Sequence, residues 1–138
     1  MTMQSWMGKG LLLLGLTAGM ASAQTGGVRT KVPFDFNLAG KRFAAGEYMM
    51  VPGSQKVTII SLSEGKTVAL ALANAVSGKT AGRTGRVVFR CYRQRCFLQE
   101  VWSPTQVNGL QILTSPAERE QARFVEGVYF AVLGEAVK

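Results

Sequence analysis

The chain is 138 residues long, enough for one domain, and its 47% hydrophobic content is that of a folding chain and not of a disordered one. It carries 16 lysines and arginines against 8 acids, a formal net charge of +8, and no histidine. That absence excludes Ser-His-Asp and Cys-His catalysis and removes the commonest general base.

Residues 1–23 read as a signal peptide. Lys9 is the sole charge before Arg29, Leu11 to Ala18 is a short apolar core, and Ala21-Ser22-Ala23 offers small residues where a signal peptidase cuts. Gln24 then starts the mature chain, with Met7 as an alternative initiation site. The apolar run is shorter than the about 20 residues of a membrane-spanning helix, so no transmembrane helix is expected after cleavage. Residues 24–138 are expected to form a single β-rich domain, periplasmic or extracellular.

In chain order, Gln24 to Thr30 is a polar lead-in. Lys31 to Leu38 alternates, with Val32, Phe34, Phe36 and Leu38 on one face of a strand and Pro33 outward. Ala39-Gly40-Lys41 makes a turn. Glu47 to Val51 is a strand closed by Pro52-Gly53, Gln55 to Leu62 is another, and Ser63 to Lys66 turns into Thr67 to Ala73. The small, basic stretch Ala73 to Gly85 reads as a loop. Within it, Ala73 to Thr80 matches a relaxed phosphate-binding loop. Such a loop must open a helix, and Ala81-Gly82-Arg83-Thr84-Gly85 is a poor helix start, so a plain basic loop is the better reading.

Arg86 to Trp102 reads as a β-hairpin with a cysteine on each side of its tip. Cys91 facing Cys96 sets Phe89 opposite Leu98 and Val87 opposite Glu100. Two cysteines in an exported chain favour one disulfide, Cys91–Cys96, over redox chemistry, and the chain lacks the ligands of a zinc site. No metal and no cofactor is expected. Ser103-Pro104 ends the strand, Asn108-Gly109 signals a two-residue turn, and Leu110 to Leu113 is a short strand. Ser115, Pro116 and Glu118 have the pattern of a capped helix running to about Phe124. Gly127 to Leu133 leans to a final strand over a continued helix. Together these elements indicate a mainly β fold: an antiparallel β-barrel or sandwich of about six to eight strands with one short C-terminal helix.

Val32-Pro33-Phe34-Asp35-Phe36, Gly40-Lys41, Phe43 to Tyr48, Phe97-Leu98 with Val101-Trp102, and Ser115 with Glu118-Arg119-Glu120 follow one another in order. This series resembles a group of small uncharacterised exported β-rich proteins found mainly in acidobacterial genomes. The resemblance covers most of the chain after residue 24 and stops near Arg123. It implies no catalytic residue and no ligand. Arg93 stands where members of the group often carry glycine, which adds charge to the hairpin tip.

Three functional readings follow. Arg83, Arg86, Arg90, Arg93 and Arg95 concentrate charge on the hairpin and are candidate donors to anions; a solvated edge that resists aggregation is the plainer account. Tyr92, Phe97 and Trp102 are a candidate aromatic platform, or core. The leading expectation is therefore a non-enzymatic exported binding or envelope-interaction module. Its partners would be lipopolysaccharide, acidic polysaccharide, or a small apolar ligand in a barrel mouth, with nucleic acid disfavoured by export. The alternatives are a His-free hydrolase of envelope polysaccharide using paired carboxylates such as Asp35 and Glu47, and a purely structural surface protein. The acids are expected at the surface, with Glu100 the one placed for partial burial.

Overall fold

The computed structural model describes residues 27–77, 85–104 and 108–136. The strands are β1 (Val28–Val32), β2 (Phe36–Leu38), β3 (Lys41–Phe43), β4 (Gly46–Pro52), β5 (Lys56–Ser61), β6 (Lys66–Ser77), β7 (Gly85–Tyr92), β8 (Arg95–Trp102), β9 (Asn108–Ile112) and β10 (Val128–Ala136). One helix, α1 (Pro116–Ala122), precedes β10. Eight strands close an antiparallel barrel in the order β8-β7-β10-β1-β4-β5-β6-β9, with β9 pairing back onto β8. Closure protects most strand edges. The small β2–β3 hairpin is appended through one parallel contact, Asn37 opposite Phe97 of β8.

Period-2 alternation fills the inside. Val28, Val32, Phe36, Leu38, Met50, Val57, Ile59, Val87, Phe89, Leu98, Val101 and Ile112 are buried in one cluster. Phe36 is edge-on to both Tyr48 and Phe89, with ring centroids 5.2 and 5.4 Å apart. The barrel is thus packed by its own side chains, and apolar space is found outside its wall. Cys91 and Cys96 are disulfide-bonded and face this core. Among the described residues, no helix is long and apolar enough to cross a membrane.

Several elements depart from the sequence reading. The expected strand over 31–38 is broken. β1 begins earlier, inside the supposed lead-in, and Pro33 to Asp35 interrupt the chain before β2. Proline withholds a donor there, and Phe34 is left half-buried against Phe89 at 5.0 Å. The expected loop from Ala73 is strand to Ser77, because Ala73 to Ser77 find a partner in β9. The first five residues of the phosphate-loop match are therefore extended; Gly78-Lys79-Thr80 lie outside the described residues, as do Arg83 and the signal-peptide assignment.

Asn108-Gly109 is no hairpin turn but the start of β9. Gly109 is needed there for contact: a Cβ would lie 2.5–2.7 Å from the Trp102 indole. The hairpin register holds at Cys91–Cys96 and Phe89–Leu98, then slips. Val88, not Val87, faces Glu100, because a bulge leaves Gln99 as an extra residue on β8. The helix ends at Ala122, and residues 128–136 are strand throughout, paired to β7 and β1.

Candidate functional site

The β7–β8 hairpin and its neighbour β10 bring most of the candidate residues onto the outer barrel wall. Alternation puts Arg86 and Arg90 outward from β7, opposite Trp102 and Phe97 of β8 and Leu133 and Tyr129 of β10. The guanidinium carbon of Arg86 lies 4.5 Å from the Trp102 ring centre. That of Arg90 lies 5.3 Å from Tyr92 and 5.1 Å from Tyr129, and that of Arg95 lies 5.8 Å from Phe97. Each contact is a cation–π interaction that fixes the planar group; Arg90 Nε is buried and without a hydrogen-bond partner. Arg93 is exposed at the tip with φ 62°, the position where a glycine would be relaxed.

The row makes no direct ion pair, although Arg90 interacts electrostatically with Glu118. Among the described residues the ion pairs are Arg29–Glu47, Arg42–Asp35, Lys66–Glu64 and Arg123–Glu120, so Arg86, Arg90, Arg93 and Arg95 are in none of them. The rings are less available than a platform requires. Tyr92, Phe97 and Trp102 are all buried, each beneath an arginine.

The candidate carboxylates are already engaged. Asp35 accepts from the Ala45 amide at 2.9 Å and from Arg42 at 3.0 Å, and these two bonds hold its carboxyl below the usual range. Glu47 pairs with Arg29 at 3.4 Å, and Glu100 accepts from the Trp102 indole at 2.8 Å. Glu100 is half-buried as expected of it.

One residue the sequence reading placed at the surface is not there. Glu118 of α1 is 3% exposed. Ser115 Oγ accepts from the Glu118 amide at 3.2 Å, which is half of a capping box. The Glu118 side chain does not reach back to complete it. Its Oε2 accepts the Tyr92 hydroxyl at 2.8 Å, and the Gln99 amide donates to Oε1 and Oε2 at 2.8 and 2.7 Å. Burial pushes the Glu118 carboxyl above its ordinary value, while Tyr92, Arg90 and Gln99 oppose that rise. The Tyr92 hydroxyl is pushed up to about 12, by burial first and then by Glu118.

Gln99 shares the outer face of β8 with Phe97 by alternation and meets Glu118 there. Gly127 leaves room beside the network, since a Cβ there would run into Arg90 Nε and lie 2.9 Å from the Tyr92 ring. The cluster therefore docks α1 onto the hairpin and holds the arginine row in place. Comparison of the chain with protein-family models, with curated proteins and with solved structures finds no match.

Proposed function

We infer that this is an exported, non-enzymatic β-barrel domain that binds anionic envelope material, lipopolysaccharide or acidic polysaccharide, through the arginine row of the β7–β8 hairpin. The observation that carries the reading is the set of four guanidiniums, Arg86, Arg90, Arg93 and Arg95, gathered on one hairpin without an ion-pair partner among the described residues. Three of them are stacked on rings, so little side-chain freedom remains to be lost on binding an anion. Planar guanidiniums match phosphate, sulfate and carboxylate through paired N–H donors. The signal-like residues 1–23 and the Cys91–Cys96 disulfide support export to an oxidising compartment. The resemblance to small exported acidobacterial proteins agrees with it.

The hydrolase alternative asks for two carboxyls facing across a cleft. It draws no support from Asp35 and Glu47, which are bonded to different arginines. The test is binding of the mature protein to lipopolysaccharide and to an acidic polysaccharide, by titration at low and physiological salt. Replacing Arg93 and Arg95 together with alanine should weaken binding at least tenfold and flatten its salt dependence. Undiminished binding by the double variant refutes the assignment of the site.

A further inference from the structure

β6 changes partner along its length. Lys66 to Leu72 pair with β5 and Ala73 to Ser77 pair with β9, so from Lys66 to Leu72 its register partners are those of β5 alone. The direction of its backbone groups can be followed residue by residue. The Ala73 amide donates to Gln55 O on the β5 side at 3.0 Å, and Leu72 O accepts from the Leu113 amide on the other side at 3.1 Å. Alternation then turns the N–H and C=O of Leu70 away from β5, toward the open side.

That open side is an apolar groove of about 590 Å³. It is lined by Leu70, Leu72 and Leu113, by Ala39-Gly40 of the β2–β3 turn, and by Pro116 and Ala117 of α1. Leu70 and Leu72 are 53% and 64% exposed, large values for leucines on a barrel. The rim is basic. Arg95 lines a small hollow that shares Gly40, Ser115 and Ala117 with the groove, Lys41 follows Gly40, and Arg119 lies beyond Pro116 in a hollow whose one acid, Glu120, is paired with Arg123. None of Arg95, Lys41 and Arg119 is in an ion pair among the described residues.

We propose that the open edge of β6 at Leu70 receives an extended segment of a partner protein as an added strand, apolar where it meets Leu70, Leu72 and Leu113 and acidic where it meets Arg95, Lys41 and Arg119. An acyl chain fits the groove's polarity but not its backbone. It would cover the Leu70 N–H and C=O without offering either a hydrogen-bond partner, which is costly. A strand satisfies both groups and draws its specificity from alternate side chains. The basic rim supplies the charge complementarity that selects an acidic flank.

The probe is the peptide Ac-Glu-Glu-Val-Thr-Val-Thr-Val-amide, titrated into the isotopically labelled mature protein, with exchange of the Leu70 amide as the readout. Binding should slow that exchange at least tenfold. Leu70→Pro, which removes a donor pointing away from β5 together with the leucine side chain, should weaken binding at least tenfold and clearly more than Leu70→Ala, which removes the side chain alone. Leu72→Ser, at an exposed position, checks the apolar wall without touching the backbone and should weaken it several-fold. Arg95→Ala should weaken this peptide and leave its Gln-Gln counterpart unchanged. The proposal is overturned if the peptide binds without protecting Leu70, or does not bind at all. It is overturned equally if sodium myristate occupies the groove in its place, or if Leu70 protection appears on self-association of the chain without peptide.

Discussion

Replacing Tyr92 with phenylalanine isolates the bond that ties the hairpin to α1. The ring would stay where it is, edge-on to Phe97 at 5.9 Å and beneath Arg90. What is lost is the hydroxyl that donates to Glu118 Oε2 at 2.8 Å, leaving the buried carboxylate with Gln99 as its remaining donor. A hydrogen bond to an ionised group contributes about 1.5–3 kcal/mol, so the melting temperature should fall by roughly 10 °C in a domain of this size. The effect has a pH signature. Burial raises the Glu118 carboxyl, so its share of stability is complete below the ordinary carboxylate value and is lost as pH rises through the folded value. Tyr92 resists that rise, and Tyr92→Phe therefore costs more at neutral pH than in mild acid, where the carboxyl is protonated. Urea unfolding at both pH values, in native and Glu118→Gln backgrounds, completes a double-mutant cycle. A cost that is the same at both pH values, and the same with Glu118 replaced, would refute the argument that an ionised Glu118 is the partner.

Three further outcomes test other parts of the fold. Phenolate absorbance during alkaline titration should show Tyr92 ionising near 12, and stability present below pH 10 should fall as pH passes through that value; an ordinary tyrosine titration for every ring contradicts the burial of Tyr92. Gly109→Ala would drive a methyl against the Trp102 indole and should lower stability by about 1–3 kcal/mol in chemical denaturation; an unchanged midpoint would refute the contact. Reducing Cys91–Cys96, which are 5 residues apart, should cost about 2 kcal/mol and leave the circular dichroism unchanged; loss of all β signal would mean that the bond carries the fold.

Much of the barrel is written in local patterns. Alternation places Val87, Phe89 and Cys91 inward on β7, and the same period places Arg86 and Arg90 outward. The cysteine pair sets the hairpin register near the tip, and Ser115, Pro116 and Glu118 mark the start of α1. These signals are legible because each depends on residues close in sequence: a period of two, a cap, a tight turn. The arginine row was visible for the same reason.

What the tertiary structure decided depends on partners far along the chain. Ala73 to Ser77 has a loop's composition and becomes strand because β9 lies beside it. Gly109 has the signature of a turn and instead makes room for Trp102. Glu118 has the sequence position of a surface cap residue. It is buried because Tyr92 and Gln99, on two other strands of the wall, stand where its carboxylate points, and burying a charge is tolerated only where donors meet it. The open edge at Leu70 is likewise invisible in the residues around it, since an unpaired backbone group has no side-chain signature. Closure decides which strand edges find a neighbour, and that depends on the path of the whole chain.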